Sequence, residues 1–435
     1  MSGKLRTASR LPMLTGLLVV GLTISYLLQI SPSPVLSFIR DEYGLFNNDA
    51  LLNMSMSIIF PVCIVCAAVG TWVEQRVGTS KLYIIALACL AVSSCMLFAI
   101  DSYALYLVSR VIFAVGFGFL IPFIGSVIMR YYNPRQREAM NTINGLFPWL
   151  GALLAFFLLV PMTEAMGGSW RNAIGFWGIV TVVVAALWLA LIHNRRVTAQ
   201  DEGEGSELDS GPPEKGIYRG LWKRREIKLL CGSFVCDFFF YAYISTLLPI
   251  FLMEAASISE ADAGTMAAFA FPVVGAVGTL LGGYIASRSG KRRPIMMTGQ
   301  LLKVVGVILM VFSIEFSLPL ALAGVVIFTL GNSSWLPAFY MTPMDLEGMT
   351  PSRAAGAFAM MLSAGFIAAT VSPVLGGWLT NVFAAMSGIA EPIAAHVFGL
   401  KWSFFIFGFV NLIAFVCILA LRETGPAGKS SRPAA

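Results

Sequence analysis

The chain has 435 residues, of which 57% are hydrophobic and 12% charged, with 29 Lys and Arg against 23 Asp and Glu. So few charges cannot cover a soluble domain, where about 25% of residues are charged, and they leave little material for an enzyme's acid–base or nucleophilic set. Apolar runs of about twenty residues between short polar breaks match instead the length a helix needs to cross a hydrocarbon core of about 30 Å.

Taken in order, the first half reads as six spans: Leu11–Ile39, Ala50–Val73, Leu82–Ile100, Tyr103–Met129, Ala139–Met162 and Arg171–Ile192. A polar stretch from Arg195 to Lys228 follows. It carries Asp201, Glu202, Glu204, Glu207 and Asp209 between Arg195-Arg196 and Lys223-Arg224-Arg225. Such a segment cannot bury enough apolar surface to fold alone and reads as a solvated linker. Six more spans follow: Ile227–Met253, Ala263–Ala286, Pro294–Ile314, Leu318–Met344, Ala354–Phe383 and Phe398–Leu421. The expected organisation is a tail over 1–10, a six-helix bundle over 11–194, a linker over 195–226, a second bundle over 227–422 and a tail over 423–435. The first apolar run is too long for a cleavable signal peptide and lacks a small-residue cleavage site.

Lys and Arg fall unevenly between the two sets of connections. Arg40, Arg171 and Lys401 lie on one side, Arg110 and Lys303 fall inside spans, and the remainder sit with the termini and the linker. By the positive-inside tendency, both termini and the linker are expected in the cytoplasm. The positive balance then needs no nucleic-acid partner.

The two halves echo one another. Gly70-Thr-Trp-Val-Glu74-Gln-Arg76-Val-Gly78 follows the second span, and Gly282-Gly-Tyr-Ile-Ala-Ser-Arg288-Ser-Gly290 follows the eighth. Pro148-Trp-Leu-Gly151 in span five is matched by Pro373-Val-Leu-Gly376 in span eleven. Two related six-helix halves are a transporter architecture, with solute bound between them.

These residues carry a resemblance to the major facilitator superfamily. The turn from Gly283 through Arg288, Gly290, Lys291 and Arg292 is similar to the family signature G-x-x-x-D-R-x-G-R-R, with Ser287 in place of the acid; in the first half Gln75 stands there, one residue after Glu74. Arg110, Gly116, Gly118 and Pro122 in span four fit R-x5-G-x-G-x3-P, and Tyr132-Asn-Pro-Arg135-Gln-Arg137 fits the turn that follows. The resemblance covers essentially the whole chain. It implies an all-α membrane fold of twelve helices in two pseudo-symmetric bundles and a secondary transporter working by alternating access, as a monomer, in a bacterial inner membrane. It also implies gating turns at Glu74, Arg76, Gly78, Arg288, Gly290 and Arg292. The family's antiporter signature is only partly present around Gly145, Pro148 and Gly151. Phe117 stands where organic-anion members often carry a carboxylate.

Several mid-span residues are candidates for chemistry. Arg110 lies about 10 Å into span four at 1.5 Å per residue. A charge at that depth should face a cavity or a partner. It reads either as an anion-binding fork or as a structural arginine on backbone carbonyls. Asp237, in span seven, could exchange a proton, or could be a hydrated acid paired with a loop arginine; Tyr241 shares its helix face at i,i+4. Lys303 in span nine reads as snorkelling to the headgroups. Gln29, Asn332 and Trp335 are neutral polar candidates, either substrate-facing or helix glue.

The seven cysteines all fall in spans, and His193 and His396 have no partner at metal-ligand spacing. No cofactor, metal or ATP-binding loop is therefore expected, and no enzymatic activity. The expected cargo is a small solute, with an organic or inorganic anion favoured and protons as a candidate co-substrate. The alternatives are efflux of hydrophobic compounds, suggested by the aromatic run Phe238-Phe239-Phe240-Tyr241, and a non-transporting sensor or partner subunit.

Overall fold

A computed structural model describes residues 11–46, 48–131, 134–193, 217–349 and 351–426. Residues 195–216 of the linker, both tails apart from 423–426, and Tyr132 and Asn133 lie outside the described residues. All regular elements among the described residues are helical. Sixteen α-helices follow in order: α1 (Leu11–Ile30), α2 (Leu36–Tyr43), α3 (Asp49–Ser57), α4 (Ile59–Val77), α5 (Thr79–Cys95), α6 (Tyr103–Tyr131), α7 (Pro134–Ala165) and α8 (Trp170–Trp188), then α9 (Ile217–Trp222), α10 (Arg225–Ala256), α11 (Glu260–Ala268), α12 (Val274–Ser289), α13 (Arg293–Ser313), α14 (Leu318–Asp345), α15 (Pro351–Met386) and α16 (Pro392–Leu419). Among the described residues, twelve spans are long and apolar enough to cross a membrane.

The expected first span is divided. Helix α1 stops at Ile30, a turn carries Pro32 and Pro34, and the chain resumes helix at Leu36. Proline lacks the N–H that would close an i→i−4 bond and its ring clashes with the preceding turn, so the apolar run is continuous while the helix is not. The second span breaks at Ile58 into α3 and α4, and the eighth passes through a π-helical turn, Phe269–Val273, that contains Pro272. Such turns commonly accompany a change of helix direction.

The described residues form two compact units. The first holds residues 11–44 and 58–193, the second residues 45–57 and 217–426. Helix α3, assigned by sequence to the first half, thus belongs with the second unit, where it packs on α15.

In the first unit α5 packs on α6 and α8, α4 on α6, and α1 on α7. In the second, α10 packs on α15 and α16, and α14 on α12 and α13. The repeated Pro-x-x-Gly segments lie inside α7 and α15 and serve corresponding contacts. A Cβ on Gly151 would lie 2.5 Å from Tyr26 Cβ of α1, and one on Gly376 would lie 2.2 Å from the Tyr243 ring of α10. Helices α13 and α14 approach backbone to backbone at Gly306 and Gly324, where added Cβ atoms would come within 2.4 Å of the facing helix. Small residues permit this approach in a membrane, where helices associate by packing. The contact fixes the face of α13 that carries Lys303.

Candidate functional site

Arg110 in the first unit and Lys303 in the second are the most deeply buried cations among the described residues, and they are neutralised differently. In the first unit Arg110 of α6 is 4% exposed. Its Nη1 donates to the Leu28 carbonyl at 2.9 Å and its Nη2 to the Gln29 carbonyl at 2.7 Å. These carbonyls are available because α1 ends there. Pro32 has no N–H to return to Leu28, and Ser33 N bonds Ile30 O at 2.9 Å rather than Gln29 O. The Ser31 hydroxyl also donates to Leu28 O, at 3.0 Å. The guanidinium carbon lies 4.7 Å from the Phe113 ring centroid, a cation–π distance. Beside this brace is a small polar pocket lined in part by Ser31, Ser93, Ser94, Tyr106 and Ser109. Gln29 therefore joins the centre through its backbone oxygen, and its side chain is half-buried.

In the second unit the Lys303 ammonium of α13 pairs with the Asp237 carboxylate of α10, and the side chains are 1% and 3% exposed. This replaces the snorkelling expected for Lys303: its helix face looks into the bundle, and its nitrogen lies 4.6 Å from the Trp335 ring centroid. Next to the pair, Gln300 lies one turn before Lys303 and is fully buried. Neither its amide nitrogen nor its oxygen makes a hydrogen bond within the protein, and the same holds for Asn332 Oδ1 and Trp335 Nε1 on α14. A buried polar group without a partner costs about 1–3 kcal/mol, so such a concentration beside an ion pair needs an explanation.

Asp237 and Tyr241, spaced i,i+4, make different contacts. Tyr241 is half-buried and stacks on Phe271 at 5.8 Å between ring centroids, with Phe238 at 5.5 Å. Asp237 turns to Lys303. Sequence reasoning missed Gln300, because a mid-span amide on a presumed outer helix has no local signal that separates it from helix glue.

Each of the two repeated turns ends on a glycine at positive φ, and the two differ in charge. Gly290 closes α12 in the left-handed region at φ 61°, and Gly78 has φ 85° after α4. In the first turn Glu74 accepts from the Thr79 hydroxyl at 2.7 Å, and Arg76 lies 3.8 Å from the Trp72 ring centroid. In the second, Arg288 bonds the Tyr284 hydroxyl at 2.6 Å. Arg292 is held on three sides: Nε to Asp345 at 2.9 Å, Nη1 to the Ala286 carbonyl at 2.8 Å, and its backbone N–H to Glu423 at 2.8 Å. Two acids distant in sequence, Asp345 and Glu423, thus hold Arg292 of this turn.

The sequence relatives and structural neighbours are transporters. The cyanate transport protein CynX of Escherichia coli (strain K12) is 24% identical over 379 residues, covering 86% of this chain and 91% of the relative. The hexuronate transporter of Bacillus subtilis (strain 168) is 19% identical over 278 residues, 64% of each chain. The crystal structure of a bacterial homolog to the human lysosomal transporter Spinster matches with a TM-score of 0.76 at 17% identity, over 94% of this chain and 96% of that one. The family model described as Major Facilitator Superfamily matches residues 18–348 and 229–435. Twelve apolar helices and a match running through both halves lead to one conclusion: this chain belongs to the major facilitator superfamily, as a multi-pass membrane transporter of small solutes and not an enzyme.

Proposed function

We propose that this chain is a proton-coupled symporter of a small organic or inorganic anion, acting in a bacterial inner membrane with both termini cytoplasmic. The observation that carries the reading is the buried Asp237–Lys303 pair beside the unpartnered polar groups of Gln300, Asn332 and Trp335. With Asp237 ionised, the pair is neutral and Lys303 needs nothing more. A proton on Asp237 leaves the ammonium as a buried, uncompensated charge, which is strongly unfavourable. A carboxylate or oxyanion restores neutrality there. The Gln300 amide and the Trp335 N–H are donors it could accept from, and the Gln300 and Asn332 oxygens would take a hydroxyl of a polyol acid. Proton and anion are then favoured together, and loss of the proton to Asp237's surroundings re-forms the pair and expels the anion. The names of the relatives, a cyanate and a hexuronate transporter, support an anionic cargo.

Arg110 serves this reading as a brace rather than a docking fork. Each of its terminal nitrogens donates to a carbonyl that the Pro32–Pro34 break frees. The orientation rests on the Lys and Arg asymmetry of the connections.

The test is ligand-dependent thermal stabilisation of detergent-purified protein with cyanate, galacturonate, glucuronate and a set of hydrophobic cations. A ligand at 100 times its dissociation constant adds about 2.7 kcal/mol. The reading expects a shift with one of the anions that disappears in the neutral double variant Asp237→Leu/Lys303→Met. Stabilisation by hydrophobic cations alone, indifferent to that double variant, would replace it with efflux.

A further inference from the structure

We propose that Asp49, Glu254 and His396 form a proton-binding clasp that seats α3 on the second unit. The cluster lies about 25 Å along α10 from Asp237, counting 1.5 Å per residue, and takes no part in the anion site. Its residues fall in the connections or span ends between spans one and two, seven and eight, and eleven and twelve. Being odd-to-even connections, all three lie on the membrane face opposite the N-terminus. The sequence gives His396 no partner, because its neighbours come from helices far apart in the chain.

The geometry demands a proton. His396 Nε2 lies 2.8 Å from Asp49 Oδ2 and its Nδ1 lies 2.5 Å from Glu254 Oε2. The three side chains are 12%, 3% and 4% exposed. A neutral imidazole has one N–H and one lone pair, so it can satisfy only one of two carboxylates. The other contact would set lone pair against lone pair in a site nearly closed to water. Both contacts hold only with one further proton, carried either as imidazolium or as a carboxylic acid. The carboxylates stand at hydrogen-bond distance from the ring nitrogens themselves, with no room between for a metal, and among the described residues no cluster fits one.

The groups around the imidazole come from three other helices. Asp49 is from α3 and Glu254 from α10, and these are the charged groups that face it. From α15, the Asn381 amide donates to Asp49 Oδ2 at 2.9 Å and accepts from Asp49 N at 3.2 Å. Behind Asp49 the next titratable group is Tyr243 of α10, whose hydroxyl lies 2.9 Å from Thr380 Oγ1.

The proton governs the seat of α3. Below Asp49 the rest of the contact is neutral. Asn53 donates to the Pro373 carbonyl at 2.9 Å, and Gly377 lets the backbone of Asp49 come so close that a Cβ there would lie 2.6 Å from it. With the proton present, two charge-assisted hydrogen bonds tie α3 through His396 to α10 and α16. Without it one bond is lost and two buried carboxylates flank a neutral ring. The seated helix therefore binds one more proton than the released one, and by linkage rising pH on that face favours release.

The experiment labels the variant Met56→Cys; Met56 is 4% exposed and shares the face of Asp49 and Asn53 at helical spacing. An impermeant maleimide is applied to the full chain in proteoliposomes, from about pH 5 to about pH 10, with the parent chain as background and rates corrected for the thiolate fraction. The corrected labelling rate should rise about tenfold as pH increases, the factor expected for loss of one charge-assisted hydrogen bond. His396→Gln should label fast at every pH. Glu254→Gln should stay protected to high pH, since its amide donates to Nδ1 without an added proton, and this result cannot come from misfolding. Labelling of the parent seat that is flat with pH, or a Glu254→Gln variant that keeps the parent response, would overturn the proposal.

Discussion

Arg110 and Lys303 are both cations buried in the core of a six-span unit, yet their partners make them different devices. Arg110 is neutralised by dipoles, two backbone carbonyls at a helix break. Lys303 is neutralised by a charge, the Asp237 carboxylate. A guanidinium keeps its proton in proteins and a carbonyl cannot accept one at ordinary pH, so the first centre has a single charge state. A carboxylate can be protonated, so the second has two. The difference shows why depth in the membrane does not by itself identify a functional charge. What matters is whether its partner can change.

The sharpest way to break this comparison is to remove one partner of the second centre. Asp237→Ala should destabilise the detergent-solubilised protein by about 3–5 kcal/mol, because it strands an ammonium. Replacing both partners with Asp237→Leu/Lys303→Met should restore stability to within about 1–2 kcal/mol of the parent, or exceed it. Chemical denaturation followed by tryptophan fluorescence measures both. If the single and double variants fall equally, the two groups are not a closed pair.

Arg110→Lys should come next in size. A single ammonium cannot reproduce the two-pronged grip on Leu28 and Gln29, and one buried carbonyl left unpaired costs about 1–3 kcal/mol. Its effect should be the same with and without anionic ligand, whereas a docking role would show as lost ligand stabilisation. Arg292→Gln should lose about 1–2 kcal/mol, since its pair with Asp345 is mostly buried and glutamine cannot also reach the Ala286 carbonyl. Lys401→Ala should change stability by less than about 0.5 kcal/mol, because its partner Glu315 is 67% exposed and solvent screens the pair.

How much of this was legible in the sequence follows from the range of each signal. The spans could be read because an apolar run of membrane length is a local property. The break in span one was missed although Pro32 and Pro34 were in view, since hydropathy counts their neighbours as one run while helix geometry does not. The repeated turns were visible as Gly-Arg spacing. Their charge partners were not: Arg292 meets Asp345 and Glu423 across separations of 53 and 131 residues. Lys303 and Asp237 were each recognised as unusual, yet nothing local joins helices α10 and α13. His396 read as an unattended residue of a connection because its two carboxylates lie 347 and 142 residues away. Periodicity finds the face of a helix, and packing alone decides what that face meets.

The most direct test of the account measures accumulation and exchange separately for Asp237→Asn in proteoliposomes, using whichever anion stabilises the parent protein. Asparagine keeps the shape and cannot cycle a proton, so position 237 has a single charge state throughout the cycle. The account predicts that exchange of labelled for unlabelled anion continues while accumulation driven by a pH gradient is lost. Gradient-driven accumulation at the parent level in Asp237→Asn would contradict it and move proton coupling away from this pair.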